Sequence, residues 1–237
     1  MKTGLTSLLL KHQPGFGKVV DFNPVTEKLL PMDFTAGNTA LTAEVINDID
    51  LFSSYVDNQL TTAGAKYGIG GYDELRTVYD RSTLFGETNI VSGIAVEPRR
   101  LHLGVDIWGK AGTPVYAFMG GMVHSVAFND NHGDYGATMI IVHQLDTKAF
   151  YTLYGHISLM DLEHFHAGAY VSRGQKIAHF GVPEENGHWP PHLHIQIIEE
   201  LGIKEGDYPG VCKFSEREKY LANCPDPDLI LCLNKFL

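Results

Sequence analysis

His102 and Asp106 lie in the segment Arg-Leu-His-Leu-Gly-Val-Asp-Ile-Trp, and His192 and His194 in Pro-Pro-His-Leu-His-Ile-Gln-Ile. Both segments read as strands. Successive strand residues point to opposite faces. His102, Gly104 and Asp106 therefore share one face, with Leu103, Val105 and Ile107 on the other. By the same parity His192, His194 and Gln196 stand together, opposite Leu193, Ile195 and Ile197. Thr152, Tyr154 and His156 form a third such set. Two imidazoles and a carboxylate suit a divalent ion such as zinc, and three protein ligands leave a position for water. Bound zinc brings the pKa of its water to about 7 and polarises a carbonyl. The remaining histidines can shuttle protons or hydrogen-bond a developing oxyanion. Gly104 would leave room for an ion or substrate to approach.

Other chemistries find no support. There is no H-E-x-x-H helix, no G-x-S-x-G elbow and no phosphate loop. The run 129–134, Asn-Asp-Asn-His-Gly-Asp, invites a calcium reading. An EF-hand loop begun at Asp130 puts Tyr135 where Gly belongs and Ile141 where Glu belongs, so a hairpin turn is expected instead. His164-Phe165-His166 repeats the H-x-H spacing in a turn-like stretch and reads as solvated. Residues 184–191, Glu-Glu-Asn-Gly-His-Trp-Pro-Pro, lead into the second histidine strand. They read either as a loop whose two prolines fix an extended entry or as a substrate rim with Trp189 as an apolar wall.

These groups must be held by elements the pattern also predicts. Residues 1–38 show little periodicity and carry Pro14, Pro24 and Pro31. Over 39–62, Leu41, Val45, Ile49, Phe52, Val56 and Leu60 recur at helical spacing. This predicts one long helix, capped by Asn38 or Thr39 and ended by Gly64. Residues 67–72 read as a turn. Beyond about Ile90 come short β-type runs at 114–118, 121–126, 138–142 and 150–154, punctuated by Gly, Asn and Asp. Strands without intervening helices imply a mainly β, antiparallel two-sheet sandwich or barrel-like core. The organisation expected is an N-terminal extension over 1–88, a core over 89–203 and an irregular segment over 204–237 packing on it.

Composition narrows the partners. The 237 residues carry a formal net charge of −10, and no Lys/Arg cluster for phosphate binding is present, so nucleic acid is not expected. No stretch approaches the ~20 apolar residues of a membrane span. The apolar run near Leu8 is short for a secretory leader, which gives a cytoplasmic expectation, or the cell envelope if a leader was removed. Cys212, Cys224 and Cys232 lack C-x-x-C spacing and read as ordinary thiols. Oligomeric state is not legible.

The ordered motifs resemble the M23 family of zinc metallopeptidases, the lysostaphin-type endopeptidases that cut peptidoglycan cross-bridges. The matching segments are His102 with Asp106, Tyr154-Gly155-His156, and His192-Leu193-His194, with residues 111–117 and 174–178 as further family-like stretches. The resemblance spans roughly residues 90–200. It implies one zinc per chain held by His102, Asp106 and His194. It implies catalytic roles for His156 and His192 beside the water and scissile carbonyl, with Tyr154 a hydrogen-bond donor near the oxyanion. The function implied is hydrolysis of peptide bonds by metal-activated water, in peptidoglycan-type cross-bridge or stem peptides. The bulky, acidic and aromatic loop 184–191 suggests a substrate other than an oligoglycine bridge. Two further readings are an intracellular zinc amide hydrolase acting on small peptide or amino-acid conjugates, and a non-catalytic zinc-binding scaffold.

Overall fold

The computed structural model describes residues 4–86 and 97–237. The expected boundary at 88/89 and the onset of strand texture near Ile90 lie outside the described residues. The N-terminal part is more regular than its sequence suggests. It contains α1 (Gly4–His12), β1 (Leu29–Met32), α2 (Ala43–Asn47), α3 (Ile49–Ala63) and β2 (Tyr67–Gly70). The single helix expected over 39–62 is two. Thr42 caps α2 by accepting from the Val45 N–H. Asp48 is extended (φ −105°, ψ 116°) and breaks the run. Its carboxylate accepts from the N–H groups of Asp50 and Leu51, satisfying donors that the start of α3 leaves orphaned. Gly64 ends α3 at φ 62°, a conformation open to glycine at little cost.

The strands that follow are β3 (Arg99–His102), β4 (Val105–Trp108), β5 (Pro114–Tyr116), β6 (Gly121–Asn129), β7 (Gly136–Leu145) and β8 (Lys148–Ile157). After the short α4 (Leu159–Leu162) come β9 (Tyr170–Val171), β10 (Lys176–His179), β11 (His192–Ile198) and β12 (Val211–Lys213), then α5 (Arg217–Asn223) and α6 (Asp228–Leu231). The chain is mainly β. Eight strands form one sheet in the order β1-β2-β4-β11-β8-β7-β6-β9, and β5/β10 and β3/β12 form two small ribbons. Among the described residues only β1 and β2 pair in parallel, which makes the large sheet mixed. The sheet stays open, with β1 and β9 at its edges among the described residues. The 129–134 run ends β6 at Asn129 and forms most of the β6–β7 hairpin connection.

Two elements differ from the sequence reading. The strand expected through 101–107 is split, with β3 in its own ribbon and β4 in the large sheet. The glycine-rich run at 67–72 is largely strand, since β2 pairs with both β1 and β4. Glycine inside a strand often marks close approach of another group rather than a turn, and that is its use here.

Period-2 alternation divides the large sheet. On one face Val105, Ile107, Leu193, Ile195 and Ile197 pack with Tyr154, Met139 and Phe180 into the main core. On the other, register lines up Gly70, Asp106, His194 and Gly155 across β2, β4, β11 and β8. Trp108 and His192 form the neighbouring row. Behind Trp108, α3 packs Phe52, Val56 and Leu60 into a second cluster with Phe34 and Trp189.

Candidate metal centre and groove

His102, Asp106 and His194 come together as a buried group that could hold a metal ion. His102 arrives from the end of β3, Asp106 from β4 and His194 from the adjacent β11. His102 Nε2 lies 3.0 Å from His194 Nδ1 and 3.3 Å from Asp106 Oδ1. His194 Nδ1 is 3.0 Å from the same carboxylate oxygen. Zinc bonds of 2.0–2.1 Å in a tetrahedron imply ligand atoms about 3.3 Å apart, so the donor triangle fits that ion.

The protons point the same way. His102 Nδ1–H donates to the Gly71 carbonyl at 2.8 Å, which leaves the Nε2 lone pair facing the other two groups. The amide nitrogen of Gln196 donates to the Pro209 carbonyl at 3.1 Å. Its oxygen is thereby turned to His194 Nε2–H, also at 3.1 Å. His194 Nδ1 is then a lone pair as well. Three acceptor atoms converge with no proton between them, an arrangement that favours a cation. Fixing a ligand's tautomer through its far nitrogen is how outer partners tune metal sites. Burial, and then the nearby Arg76 charge, pushes His102 down to about 4. Burial alone would raise Asp106, but its interactions with His102 and with the Arg76 charge hold it well below the usual carboxylate range.

His156 and His192 flank this triangle, their rings 4.1 Å apart. Each is anchored through Nδ1–H, His156 on the Asn186 carbonyl and His192 on the Pro190 carbonyl, both at 2.7 Å. Each therefore presents a free Nε2. His192 Nε2 sits 4.0 Å from Asp106 Oδ1, and the ring stacks on Trp108 at 3.9 Å. Burial pushes His192 down to about 4, and burial together with its two histidine neighbours holds His156 well below the usual imidazole range. Both are neutral bases at pH 7.

The route that brings His156 here is not the one parity predicts. Ala137 opposes Ile157 and Met139 opposes Tyr154, so one residue of β7 faces two of β8, a β-bulge. His156 takes φ 62°, uncommon for a non-glycine residue. The bulge turns His156 onto the site face and sends Tyr154 into the main core, away from the groove lining. The structure thus gathers His102, Asp106, His156, His192 and His194, and leaves Tyr154 out. Gly104 has a different use from the one expected. A Cβ there would meet the His194 ring at 2.5 Å, so the space is filled by the imidazole rather than kept for an ion or substrate.

Three residues emerge that the motifs did not name. Tyr135, from the β6–β7 hairpin, brings its hydroxyl 3.5 Å from His194 Nε2 and 3.4 Å from Gln196 Oε1. Gly155 makes room for its ring. Burial raises its pKa well above the usual value, so it stays a donor. Trp108 is the floor under His192. Arg76, buried beside Asp106, donates to Oδ2 at 2.5 Å. The Asp-Tyr-Gly at the hairpin end and the Gly70-Gly71 pair were the available signals, both weak. A groove of about 270 Å³ opens over the group. Tyr79, Phe85 and Trp189 form its apolar wall, and Arg99, Lys204, Asp134 and Asp207 add charge of both signs. His164 and His166 are exposed and take no part.

Fold and site define a β-sheet protein with a three-donor metal-type centre beside two neutral histidine bases. Residues 100–205 match the profile of peptidase family M23, and this segment holds all five gathered residues. The matched segment is 106 of the chain's 237 residues. The chain is similar to a zinc-containing peptidase from Vibrio cholerae, with 29% identity and a TM-score of 0.33 over 48% of this chain and 30% of that one. It is similar also to the catalytic domain of the antimicrobial peptidase lysostaphin from Staphylococcus simulans (20% identity, TM-score 0.36, 71% of this chain and 96% of that one). A catalytic-domain variant of the prophage-encoded M23 protein EnpA from Enterococcus faecalis shares 20% identity (TM-score 0.35, 51% of this chain and 80% of that one). The chain spans under a third of the Vibrio cholerae peptidase's length. No curated protein matches the chain. The three cysteines are free thiols, and no helix among the described residues is long and apolar enough to cross a membrane.

Proposed function

We propose that the chain is a zinc-dependent peptidase of family M23 that hydrolyses peptide bonds in peptidoglycan-type cross-bridge or stem peptides. The observation that carries the reading is the convergence of three potential ligand atoms, His102 Nε2, Asp106 Oδ1 and His194 Nδ1, within 3.0–3.3 Å of one another. A bound zinc supplies Lewis acidity, polarising the scissile carbonyl and acidifying water. The chain's own groups do the rest. His156 and His192, their Nδ1–H groups tied to backbone, each have Nε2 free to take the proton of the attacking water. Once protonated, the same Nε2 is a donor and can pass that proton to the leaving amine. A protonated partner histidine and the Tyr135 hydroxyl can donate to the carbonyl oxygen as it gains charge. Tyr154 takes no part in this scheme. Trp108 excludes water beneath His192, and the aromatic wall accepts apolar side chains while the rim charges accept ionised ones.

A small peptide or amino-acid conjugate is the second reading, favoured by the wall that Tyr79 and Phe85 add to the groove. The test is incubation of zinc-loaded protein with cross-linked muropeptides, glycine-rich peptides and small amino-acid amides, with products read by mass spectrometry. His192→Ala and a chelator are the controls. Muropeptide products lost in both controls support the first reading, and turnover of small amides alone supports the second. Protein that binds no zinc overturns both.

A further inference from the structure

We propose that Arg76 is a positioning residue of the metal centre, contributed from outside the family-matched segment. The inference rests on the zinc reading above. Arg76 Nη1 donates to Asp106 Oδ2 at 2.5 Å, while Asp106 Oδ1 is the oxygen facing His102 and His194. The guanidinium thereby splits the carboxylate into an anchored oxygen and a ligating one. With Oδ2 held, Asp106 can offer the ion only one atom. Arg76 Nη2 also donates to the Gly71 carbonyl at 3.2 Å, the oxygen that accepts from His102 Nδ1–H. One side chain thus touches the outer anchors of two of the three donors.

The surroundings are shaped to hold it there. Arg76 Nε is fixed by Glu74 Oε2 at 2.6 Å, and its guanidinium lies 5.3 Å over the Phe34 ring. A Cβ on Gly70 would meet Arg76 Nη2 at 2.8 Å and Trp108 Nε1 at 3.1 Å, so glycine at this point of β2 opens the way to Asp106. The backbone of 73–76 runs along β3. Asp73 N–H bonds to the His102 carbonyl, the His102 N–H to the Glu74 carbonyl, and the Arg76 N–H to the Arg100 carbonyl. Residues before position 100 are therefore part of the centre rather than a separate cover. A planar guanidinium with five donors can serve Glu74, Gly71 and Asp106 together, and a lysine ammonium on a flexible stem cannot match that fork.

The test uses the full chain with Arg76→Met, Arg76→Lys and, as control, the exposed and remote Lys11→Gln. Zinc affinity is measured by competition with a chelating dye, and the visible spectrum of the cobalt-substituted protein reports coordination number. Arg76→Met is expected to bind zinc about ten- to a hundredfold more weakly, the range for lost outer-shell partners. Its cobalt bands are expected to weaken toward a five-coordinate form as Oδ2 becomes free to bind. Arg76→Lys recovers part of both effects, and Lys11→Gln stays within about threefold of wild type. A folded Arg76→Met with wild-type affinity and spectrum overturns the proposal. If Arg76→Met does not fold, an Arg76→Lys indistinguishable from wild type overturns it. Wild-type protein that binds no zinc overturns the zinc reading and this inference with it.

Discussion

Replacing Gly104 by alanine puts a single methyl group where the His194 ring now sits. The added Cβ would lie 2.5 Å from Cε1 and 2.6 Å from Nε2 of His194, and 2.7 Å from the Ile195 carbonyl oxygen. Ordinary contact begins near 3.4 Å, so the ring must retreat by about 0.9 Å, the gap between 2.5 and 3.4 Å. The ring is held on its far side by Asp106 and His102 and through Nε2 by Gln196. Metal sites tolerate displacements of about ±0.2 Å, several times less than the shift required. The expected result is at least a hundredfold loss of zinc affinity, equivalent to about 2.8 kcal/mol. Overpacking adds about 1–3 kcal/mol of destabilisation to the metal-free fold. Competition titration and thermal melts of the metal-free protein measure the two separately. Gly15→Ala is the control, because a Cβ there meets nothing within 4 Å. If Gly104→Ala binds zinc within about threefold of wild type, the argument that this glycine seats His194 is wrong.

Three other outcomes are expected. His156→Ala and His192→Ala each lower kcat about 10²- to 10⁴-fold while zinc stays bound, because both offer a free Nε2 without belonging to the donor triangle; loss of zinc in either, measured by metal analysis, contradicts this. Tyr135→Phe lowers kcat by about tenfold or more, whereas Tyr154→Phe, altered in the core, leaves it within about twofold; steady-state assays decide. His143, buried with Nδ1 on the Gly120 carbonyl and Nε2 on Thr152, is pushed down to about 4 by burial. The unfolded chain takes up that proton near pH 6.5, so the stability His143 contributes is present above that pH and lost as pH falls toward 4. The loss is about 3 kcal/mol, and urea unfolding of His143→Gln should show a correspondingly flatter slope over pH 4–6.5.

What could be read from the sequence follows the period of the sheet. In β4 and β11 alternation is unbroken, so Asp106, His192, His194 and Gln196 face the same way as expected. In β8 it is broken by the bulge at Gly155-His156, and parity then assigns Tyr154 to the wrong face. A bulge is set by the partner strand, here β7 around Gly136 and Ala137, and leaves no mark in β8 alone. The helix break at Asp48 was legible in principle, since Asn47-Asp48 is good capping chemistry inside a periodic run. Arg76 was not legible. Its role depends on β2 pairing with β4, a contact between residues far apart in the chain, and its glycines read locally as a turn.

The centre shows why those distant contacts matter. Three lone-pair atoms at 3.0–3.3 Å repel one another unless a cation lies between them, so the metal-free arrangement is locally unfavourable. Left to themselves, the imidazoles would flip to donate to Asp106. They are held otherwise because each far nitrogen has its own acceptor, Gly71 for His102 and Gln196 for His194. Gln196 holds that orientation because its amide nitrogen donates to the Pro209 carbonyl and to Cys224 Sγ. Gly71 is held by the same segment that carries Arg76. The frustration at the three donors is thus sustained by hydrogen bonds one layer out, on the N-terminal side and the C-terminal side alike. Such strain persists only where the surroundings over-determine it, and here it pre-forms a cation site in a buried pocket flanked by two neutral bases.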